Sequence, residues 1–192
     1  ALWLDGEILS RSVLAGQKHS ELVLPMLNEM LIEGGITLSH LDGFAFGAGP
    51  GSFTGLRIAC GVIQGLAFAL DKPVVDISTL EALAQQAGSA NVITALDARM
   101  GEIYFAVYTK SSSDQWISVQ SPMLCRPEFA PQLIGNDWVG CGSGFDRYPE
   151  TLKNVYQDQF NEILTDCYPH AKEIAQLSIT RFEQGLVLLP EQ

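Results

Sequence analysis

A single segment, from Gly47 to Gly55, places four glycines and one proline within nine residues, directly before an apolar run that ends at Leu70. Residues 41–46, just before it, have the pattern of a short buried strand. A strand, a glycine-rich turn and a long helix in this order are typical of α/β folds, in which the helix packs against the sheet. The segment therefore predicts an α/β protein with a helix over residues 53–70.

Two hairpin patterns divide the chain. Asp5 and Gly6 separate two short apolar runs near its start, and residues 97–101 separate two longer runs in its middle. Because each pattern opens a new set of strands and helices, the sequence predicts a duplicated α/β unit. We expect an N-terminal lobe over residues 1–88 and a C-terminal lobe over residues 89–192 that contains a closing helix.

The composition limits the classes of partner. The chain has 22 acidic and 11 basic residues, and its net charge of −11 argues against unaided binding to nucleic acid. The apolar stretch over residues 58–70 is shorter than the roughly 20 residues of a membrane-spanning helix, so no membrane segment is predicted. The cysteines are widely spaced, which supports neither a zinc site nor a disulfide framework and fits a reducing cytoplasm: Cys60, Cys125, Cys141 and Cys167.

The glycine-rich segment has two interpretations. It could hold a phosphate at the start of the following helix, because backbone N–H groups converge there. It lacks the Gly-Lys-Ser/Thr of a phosphate-binding P-loop, and no acidic residue follows at the ribose position of a dinucleotide fold. The second interpretation is a tight turn whose glycines let the strand and the helix approach closely.

The helix after this segment contains Gly61 and Gly65, and each glycine inside a helix costs about 0.5–1 kcal/mol relative to alanine. Close approach of a second helix would offset that cost. The first predicted helix, near residues 21–33, has two apolar stripes, which is more than one sheet face requires. These helices either meet a protein partner or form an internal core, and the residues concerned are Leu22, Val23, Met26, Leu27, Met30, Leu56, Cys60, Gly61, Ile63 and Gly65.

The sequence offers few candidates for catalysis. The three histidines are isolated from one another, and the polar residues of the second hairpin turn are typical of turn geometry. Neither a Gly-x-Ser-x-Gly motif nor a metal-ligand spacing is present. The glycines over residues 140–145 resemble the place where actin-like folds hold adenosine, which as a lone glycine loop is weak evidence. No catalytic residue, metal ligand or cofactor ligand is predicted: the side chains considered are His19, His40, His170, Asp97, Arg99, Glu102, Ser52 and Thr54.

Four strings of this sequence resemble the bacterial TsaB (YeaZ) family, and together they cover nearly all of the first 108 residues: GQKHSELVLPMLNEML, FGAGPGSFTGLRIACGVIQGLAFAL, STLEALA and ALDARMGEIYFAVY. The resemblance implies an actin-like, two-lobed duplicated fold of the ASKHA and ribonuclease H-like class. Members of the family begin with a further strand that carries an Asp-Thr pair. We therefore expect that this N-terminal strand is missing from the chain.

The resemblance also implies a function. TsaB is similar to TsaD, the catalytic subunit that threonylcarbamoylates adenosine 37 of tRNA (t6A), and serves as its noncatalytic partner. TsaD-like enzymes carry a His-x-x-x-His metal pair where this chain has residues 77–86, which contain no histidine. In this family the first two helices form the dimer surface, so the resemblance favours the partner interpretation of the apolar stripes.

The expected partners follow from the same resemblance. They are a TsaD-like catalytic subunit, a TsaE-like ATPase in the assembled complex, and a second copy of the chain when it is alone. We expect tRNA to be bound only indirectly, and nucleotide either weakly or only in the complex. Two alternatives are an ATP-dependent small-molecule kinase of the same fold and a glycoprotease-like (M22) metallopeptidase, the latter disfavoured because no metal-ligand set is visible.

The net charge generates the first prediction. We expect tRNA to bind the purified chain only weakly at physiological salt, because an acidic surface releases few counterions from the phosphate backbone. Filter binding or fluorescence anisotropy with labelled tRNA measures the dissociation constant. A submicromolar value would contradict the prediction.

Overall fold

The structure is a computed structural model that describes residues 1–14, 16 and 18–190. In chain order its elements are β1 (Leu2–Leu4), β2 (Glu7–Leu9), α1 (His19–Glu33), β3 (Phe44–Gly49), α2 (Phe53–Leu70), β4 (Val74–Ser78), α3 (Thr79–Ala87), β5 (Asn91–Arg99), β6 (Glu102–Lys110), β7 (Trp116–Cys125), β8 (Trp138–Cys141), α4 (Ser143–Arg147), α5 (Pro149–Tyr156), β9 (Phe160–Leu164) and α6 (Ala171–Glu183). Both predicted hairpins, β1–β2 and β5–β6, are confirmed.

The chain forms two units whose limits differ from the predicted lobes. One unit comprises Ala1–Ser78 together with the chain from His170 onward, and the other comprises Thr79–Pro169. The boundary lies at Ser78 instead of near Gly88 because α3 packs against β5, β6 and β8 of the second unit. The closing helix α6 belongs to the first unit because it packs against β3 and β4.

The first unit contains two separate strand pairs. β1 and β2 are antiparallel, and β3 and β4 are parallel, with Phe44 opposite Val74. α2 packs on β3, where the fully buried Ala67 lies in one cluster with Phe44 and Val74. After α6, Leu188 pairs with Val74 through two backbone hydrogen bonds of 2.8 and 3.0 Å. The segment after α6 thus extends the β3–β4 pair at its outer edge.

The second unit is a five-stranded mixed sheet in the order β7-β6-β5-β8-β9. One apolar cluster joins α3 to the sheet through Leu80 and Leu83. A second cluster contains Phe145 of α4 and Tyr156 of α5, and the Tyr156 hydroxyl donates a 2.9 Å hydrogen bond to the Pro131 carbonyl. Alternate residues of β5 and β6 join different clusters, as expected for strands covered on both faces.

α2 stands apart from the other helices in its composition. Within the part of the chain that the structure describes, it is the helix that is long and apolar enough to cross a membrane by length and composition alone. Its mean hydropathy is 1.6 over 18 residues, yet only 6% of them are buried. Single helices of globular proteins often meet the same two criteria.

The loop between β8 and α4 depends on a glycine. Gly142 has φ +103° and ψ 162°, a region that is essentially restricted to glycine, and a Cβ atom there would overlap the Ala95 carbonyl oxygen. The glycines over residues 140–145, considered above as an adenosine site, therefore include one that internal packing requires.

We expect Gly142→Ala to lower the free energy of unfolding by about 2–4 kcal/mol, because both the backbone conformation and the contact with Ala95 become unfavourable. Gly88→Ala is the matched control in the same unit. Gly88 also has a positive φ, of +68°, but no atom lies within 4 Å of an added Cβ. It should cost only about 1–2 kcal/mol. Urea unfolding of the two variants measures the difference, and equal losses would contradict the packing argument.

Candidate functional site

The outward side of α2 is an exposed, largely apolar surface of the first unit. Seven residues at helical spacing form it, and we call it the α2 outer face: Phe53, Arg57, Cys60, Gly61, Gln64, Gly65 and Phe68, all exposed. The Phe53 and Phe68 residues are 69% and 67% exposed. An apolar helix face that remains uncovered in an isolated chain is typical of a protein interaction site.

The two glycines of the α2 outer face pack against no other element among the described residues. A Cβ atom added to Gly61 or Gly65 would meet no atom within 4 Å. The sequence predicts close approach of a second helix at these positions, and no helix of the described chain supplies it. No contact among the described residues therefore offsets the conformational cost of the two glycines.

Electrostatics distinguish the α2 outer face from the rest of the protein. The chain has a net charge of −11, but α2 contains no acidic residue and its one basic residue is Arg57. The Arg57 guanidinium carbon lies 4.2 Å from the centroid of the Phe53 ring, which is a cation–π contact. Two helical turns further along α2, the Gln64 side-chain amide donates a 3.1 Å hydrogen bond to the Pro190 carbonyl.

The structure separates the interface residues predicted on α2 into two groups. Cys60, Gly61 and Gly65 lie on the exposed α2 outer face. Ile63 is half-buried and packs against the internal cluster around Ala67. Leu56 is also half-buried, and its Cδ1 would lie 3.1 Å from a Cβ atom at Gly49. Ile63 and Leu56 thus face the interior of the unit because they belong to the stripe that covers β3 and its loop.

The predicted stripes of α1 are mostly turned inward. Leu22, Val23, Met26 and Leu27 are half-buried. Met30 is only 6% exposed, so it is part of the chain's own core and does not contribute to an accessible surface. The large exposed apolar residues of α1 are instead Leu24 and Ile32, at 50% and 71%, which the stripe analysis missed.

The glycine loop before α2 is held by its own contacts. The Ser52 hydroxyl accepts a 3.4 Å hydrogen bond from the Gly55 N–H and caps the helix. Leu56 lies against Gly49, which has a positive φ of +102°. These contacts are those expected of a tight turn that sets the start of α2.

The three histidines are separate in the structure and make local contacts. His19 Nδ1 lies 3.0 Å from the Gly16 carbonyl oxygen, and His170 Nδ1 lies 3.5 Å from the Ser12 hydroxyl. His40 Nδ1 accepts a 3.2 Å hydrogen bond from the Thr37 N–H in a short helical turn. Across residues 1–14, 16 and 18–190, no three His, Cys, Asp or Glu side chains are grouped so that they could hold a metal ion.

The thiols differ in their surroundings. Burial, and then the nearby Cys167, raise the pKa of the Cys141 thiol well above its usual range, and its Sγ points to the Leu83 carbonyl oxygen at 3.6 Å. Burial also raises the pKa of Cys125 and Cys167. These three thiols are therefore poor nucleophiles at neutral pH, whereas Cys60 is exposed on the α2 outer face.

Comparison with known proteins identifies the family. The family model described as TsaD, tRNA N6-adenosine threonylcarbamoyltransferase, matches residues 12–178. The tRNA threonylcarbamoyladenosine biosynthesis protein TsaB of Escherichia coli (strain K12) is 33% identical over 201 residues, which cover 100% of this chain and 85% of that protein. The protein of the same name from Haemophilus influenzae is 42% identical over 168 residues, covering 81% of this chain and 71% of its own length.

Solved structures agree with the sequence matches. YeaZ from Pseudomonas aeruginosa superimposes with a TM-score of 0.90 at 35% identity, covering 99% of this chain and 89% of its own. A protein described as similar to peptidase YEAZ from Pseudomonas aeruginosa gives the same TM-score at 34% identity, covering 99% of this chain and 88% of its own. The predicted actin-like, ribonuclease H-like α/β fold class is thereby confirmed. The chain belongs to the TsaB (YeaZ) family.

Proposed function

We propose that this protein is a noncatalytic subunit in t6A biosynthesis and that it binds a TsaD-like catalytic subunit through the α2 outer face. The names of its relatives support the pathway. Two observations support this face as the docking surface. Phe53 and Phe68 are exposed, and two glycines with open space above them lie between these residues in the sequence.

The chemistry of the α2 outer face suits a helix of a partner. Aromatic residues and arginine are enriched at the centres of protein interfaces, and here Arg57 is already stacked on Phe53. Gly61 and Gly65 lack side chains at a four-residue spacing, so a partner's helix can approach the backbone of α2 closely. The exposed Leu24 and Ile32 of α1 would extend the same contact if the partner also reaches α1.

The same surface accounts for the other proposed assemblies. In the absence of TsaD, a two-fold homodimer would cover the α2 outer face of both copies, because one self-complementary patch serves both subunits. The homodimer and the TsaD complex would then exclude each other. We further propose that a TsaE-like ATPase joins the assembled complex and that tRNA is held through the complex.

Three alternatives have specific reasons against them. A membrane-spanning role for α2 would require the helix to leave β3, although Ala67 and Ile63 form part of the core between them. A kinase or metallopeptidase would require phosphate or metal ligands. Residues 47–55 lack the lysine of a P-loop, and residues 77–86 contain no histidine.

The open glycines give a test that separates the effect of a substitution on stability from its effect on partner binding. We expect Gly61→Ala to raise the free energy of unfolding by about 0.5–1 kcal/mol, because alanine favours the helix and meets no atom. Gly61→Leu should also fold. Its side chain would occupy the space into which the partner's backbone moves, so we expect binding to a purified TsaD-like subunit to weaken at least about tenfold.

Calorimetric titration measures binding, and urea unfolding measures stability. Asn154→Ala, at an exposed position of α5 in the other unit, is the matched control and should leave binding unchanged. Alkylation of the exposed Cys60 thiol gives a second readout, because the bound partner should slow it. If Gly61→Leu binds the partner as tightly as the parent chain does, the docking surface lies elsewhere.

Charge substitution tests the homodimer at an exposed site. We expect Phe68→Glu to fold normally and to sediment as a monomer, since a carboxylate at the contact would be desolvated without a partner. Met30→Glu and Ile63→Glu are the contrasting variants. Because both side chains pack into the core, they should lower the free energy of unfolding instead. A Phe68→Glu chain that remains dimeric would contradict the proposed homodimer surface.

The noncatalytic role has its own test. We expect the purified chain to release no phosphate from ATP and to contain no stoichiometric metal. Phosphate-release assays and elemental analysis check these expectations. Stoichiometric zinc or iron would favour the metallopeptidase alternative, and ATP turnover with a small hydroxyl-bearing substrate would favour the kinase.

A further inference from the structure

A second feature lies in the other unit, beside the turn between β5 and β6. An open cavity of about 380 Å³ is present there, which is roughly the volume of twelve water molecules. Every residue that lines it has a polar or charged side chain: Asp97, Arg99, Ser143, Asp146, Arg147 and Tyr168. Two basic and two acidic residues therefore line the same small space.

The charges of Asp146 and Arg147 are not neutralised by each other. Among the described residues, neither side chain takes part in an ion pair. Asp146 Oδ1 accepts a 3.3 Å hydrogen bond from the Asp166 N–H, and the Arg147 guanidinium lies 5.9 Å from the Tyr148 ring centroid. Asp146 and Arg147 thus line one cavity, and among the described residues neither the second Asp146 carboxylate oxygen nor the Arg147 N–H groups have a recorded hydrogen-bond partner.

The other side of the cavity is held in a defined geometry. Asp97 accepts a 2.9 Å hydrogen bond from the Arg99 N–H and forms a 3.3 Å ion pair with its guanidinium. The Ser143 hydroxyl oxygen accepts a 3.2 Å hydrogen bond from the Asp97 N–H, which leaves the hydroxyl hydrogen available as a donor. A guanidinium has five N–H donors, so Arg99 keeps donors for a ligand.

The backbone at Arg99 is unusual for a residue with a side chain. Arg99 and Met100 have φ values of +67° and +54°. Met100 and Gly101 form the two-residue turn between the paired Arg99 and Glu102, and Asn-Gly is the usual sequence of such a turn. A glycine would relieve this strain but would remove the guanidinium from the cavity. Strained positions of this kind cluster at ligand-binding sites.

We infer that this cavity binds a small zwitterion, an α-amino acid. Arg147 and Arg99 hold its carboxylate, Asp146 holds its ammonium group, and the hydroxyls of Ser143 and Tyr168 contact its polar atoms. A simple anion would meet two carboxylates in the same space, and a simple cation would meet two guanidinium groups. A ligand that carries both charges can pair with the two arginines through its carboxylate and with Asp146 through its ammonium group.

The expected affinity is low. The groups are partly open to solvent, and exposed ion pairs contribute little individually. We therefore expect the dissociation constant for an α-amino acid to lie in the millimolar range. The site lies within the second unit and does not depend on the α2 outer face, so its failure would leave the proposed function untouched.

Amide chemical shifts of the full-length, ¹⁵N-labelled chain provide the test. Glycine is the minimal probe, and L-threonine adds a hydroxyl that Ser143 or Tyr168 can bind. The matched ligands are glycine methyl ester, which lacks the carboxylate, and N-acetylglycine, which lacks the ammonium group. Saturable shifts at the amides of Asp97, Arg99 and Ser143 with glycine, and weaker binding of both matched ligands, are the expected result.

Two exposed substitutions and one control complete the test. Arg147→Gln and Asp146→Asn should each weaken glycine binding about fivefold, the equivalent of one exposed ion pair. Lys153→Gln, an exposed position of α5 outside the cavity, should leave it unchanged. The inference is overturned if glycine causes no saturable shift, if N-acetylglycine binds as well as glycine, or if either cavity variant binds like the parent chain.

Discussion

The packing of α2 against β3 determines which residues the first unit presents to other molecules. Ala67 is fully buried against Phe44 and Val74, so a small residue fixes the distance between the helix and the strands. Once that inner stripe is set, the helical repeat turns Phe68 about 100° away from Ala67, and both Phe53 and Phe68 remain exposed outside the stripe. The α2 outer face is therefore a direct geometric result of the internal contact, and its apolar character must be covered by another molecule or remain in water.

Local patterns in the sequence were sufficient for the elements around the glycine-rich segment and for both hairpins, but not for β7, α4, α5 and β9. The glycine-rich segment correctly predicted a strand, a turn and a helix, and the turn residues correctly predicted both hairpins. Local patterns could not predict the lobe boundary, because α6 contacts β3 and β4, which lie about a hundred residues earlier in the sequence. No local signal at Pro169 or Gly185 specifies that return.

The candidate docking surface was predicted only in part. α2 is apolar on all sides, so its periodicity cannot distinguish the inner stripe from the outer one. Arg57 and Gln64, the polar side chains between residues 55 and 70, lie seven residues apart and were the available signal for the outer face. The cavity beside the β5–β6 turn could not be predicted. Arg147 and Tyr168 are distant from Arg99 in sequence, and only the folded chain places all three at the same cavity.

The discontinuity of the first unit has a consequence for the order of folding during synthesis. Its two parts, Ala1–Ser78 and the chain from His170 onward, are separated by a second unit that is continuous in sequence. At roughly 5–20 residues per second, α6 leaves the ribosome seconds after β3 and β4 have emerged. During that interval the second unit can complete its own sheet, while β3 and β4 lack the helix that covers them. Residues 1–78 can therefore complete their unit only after the whole second unit has been synthesised.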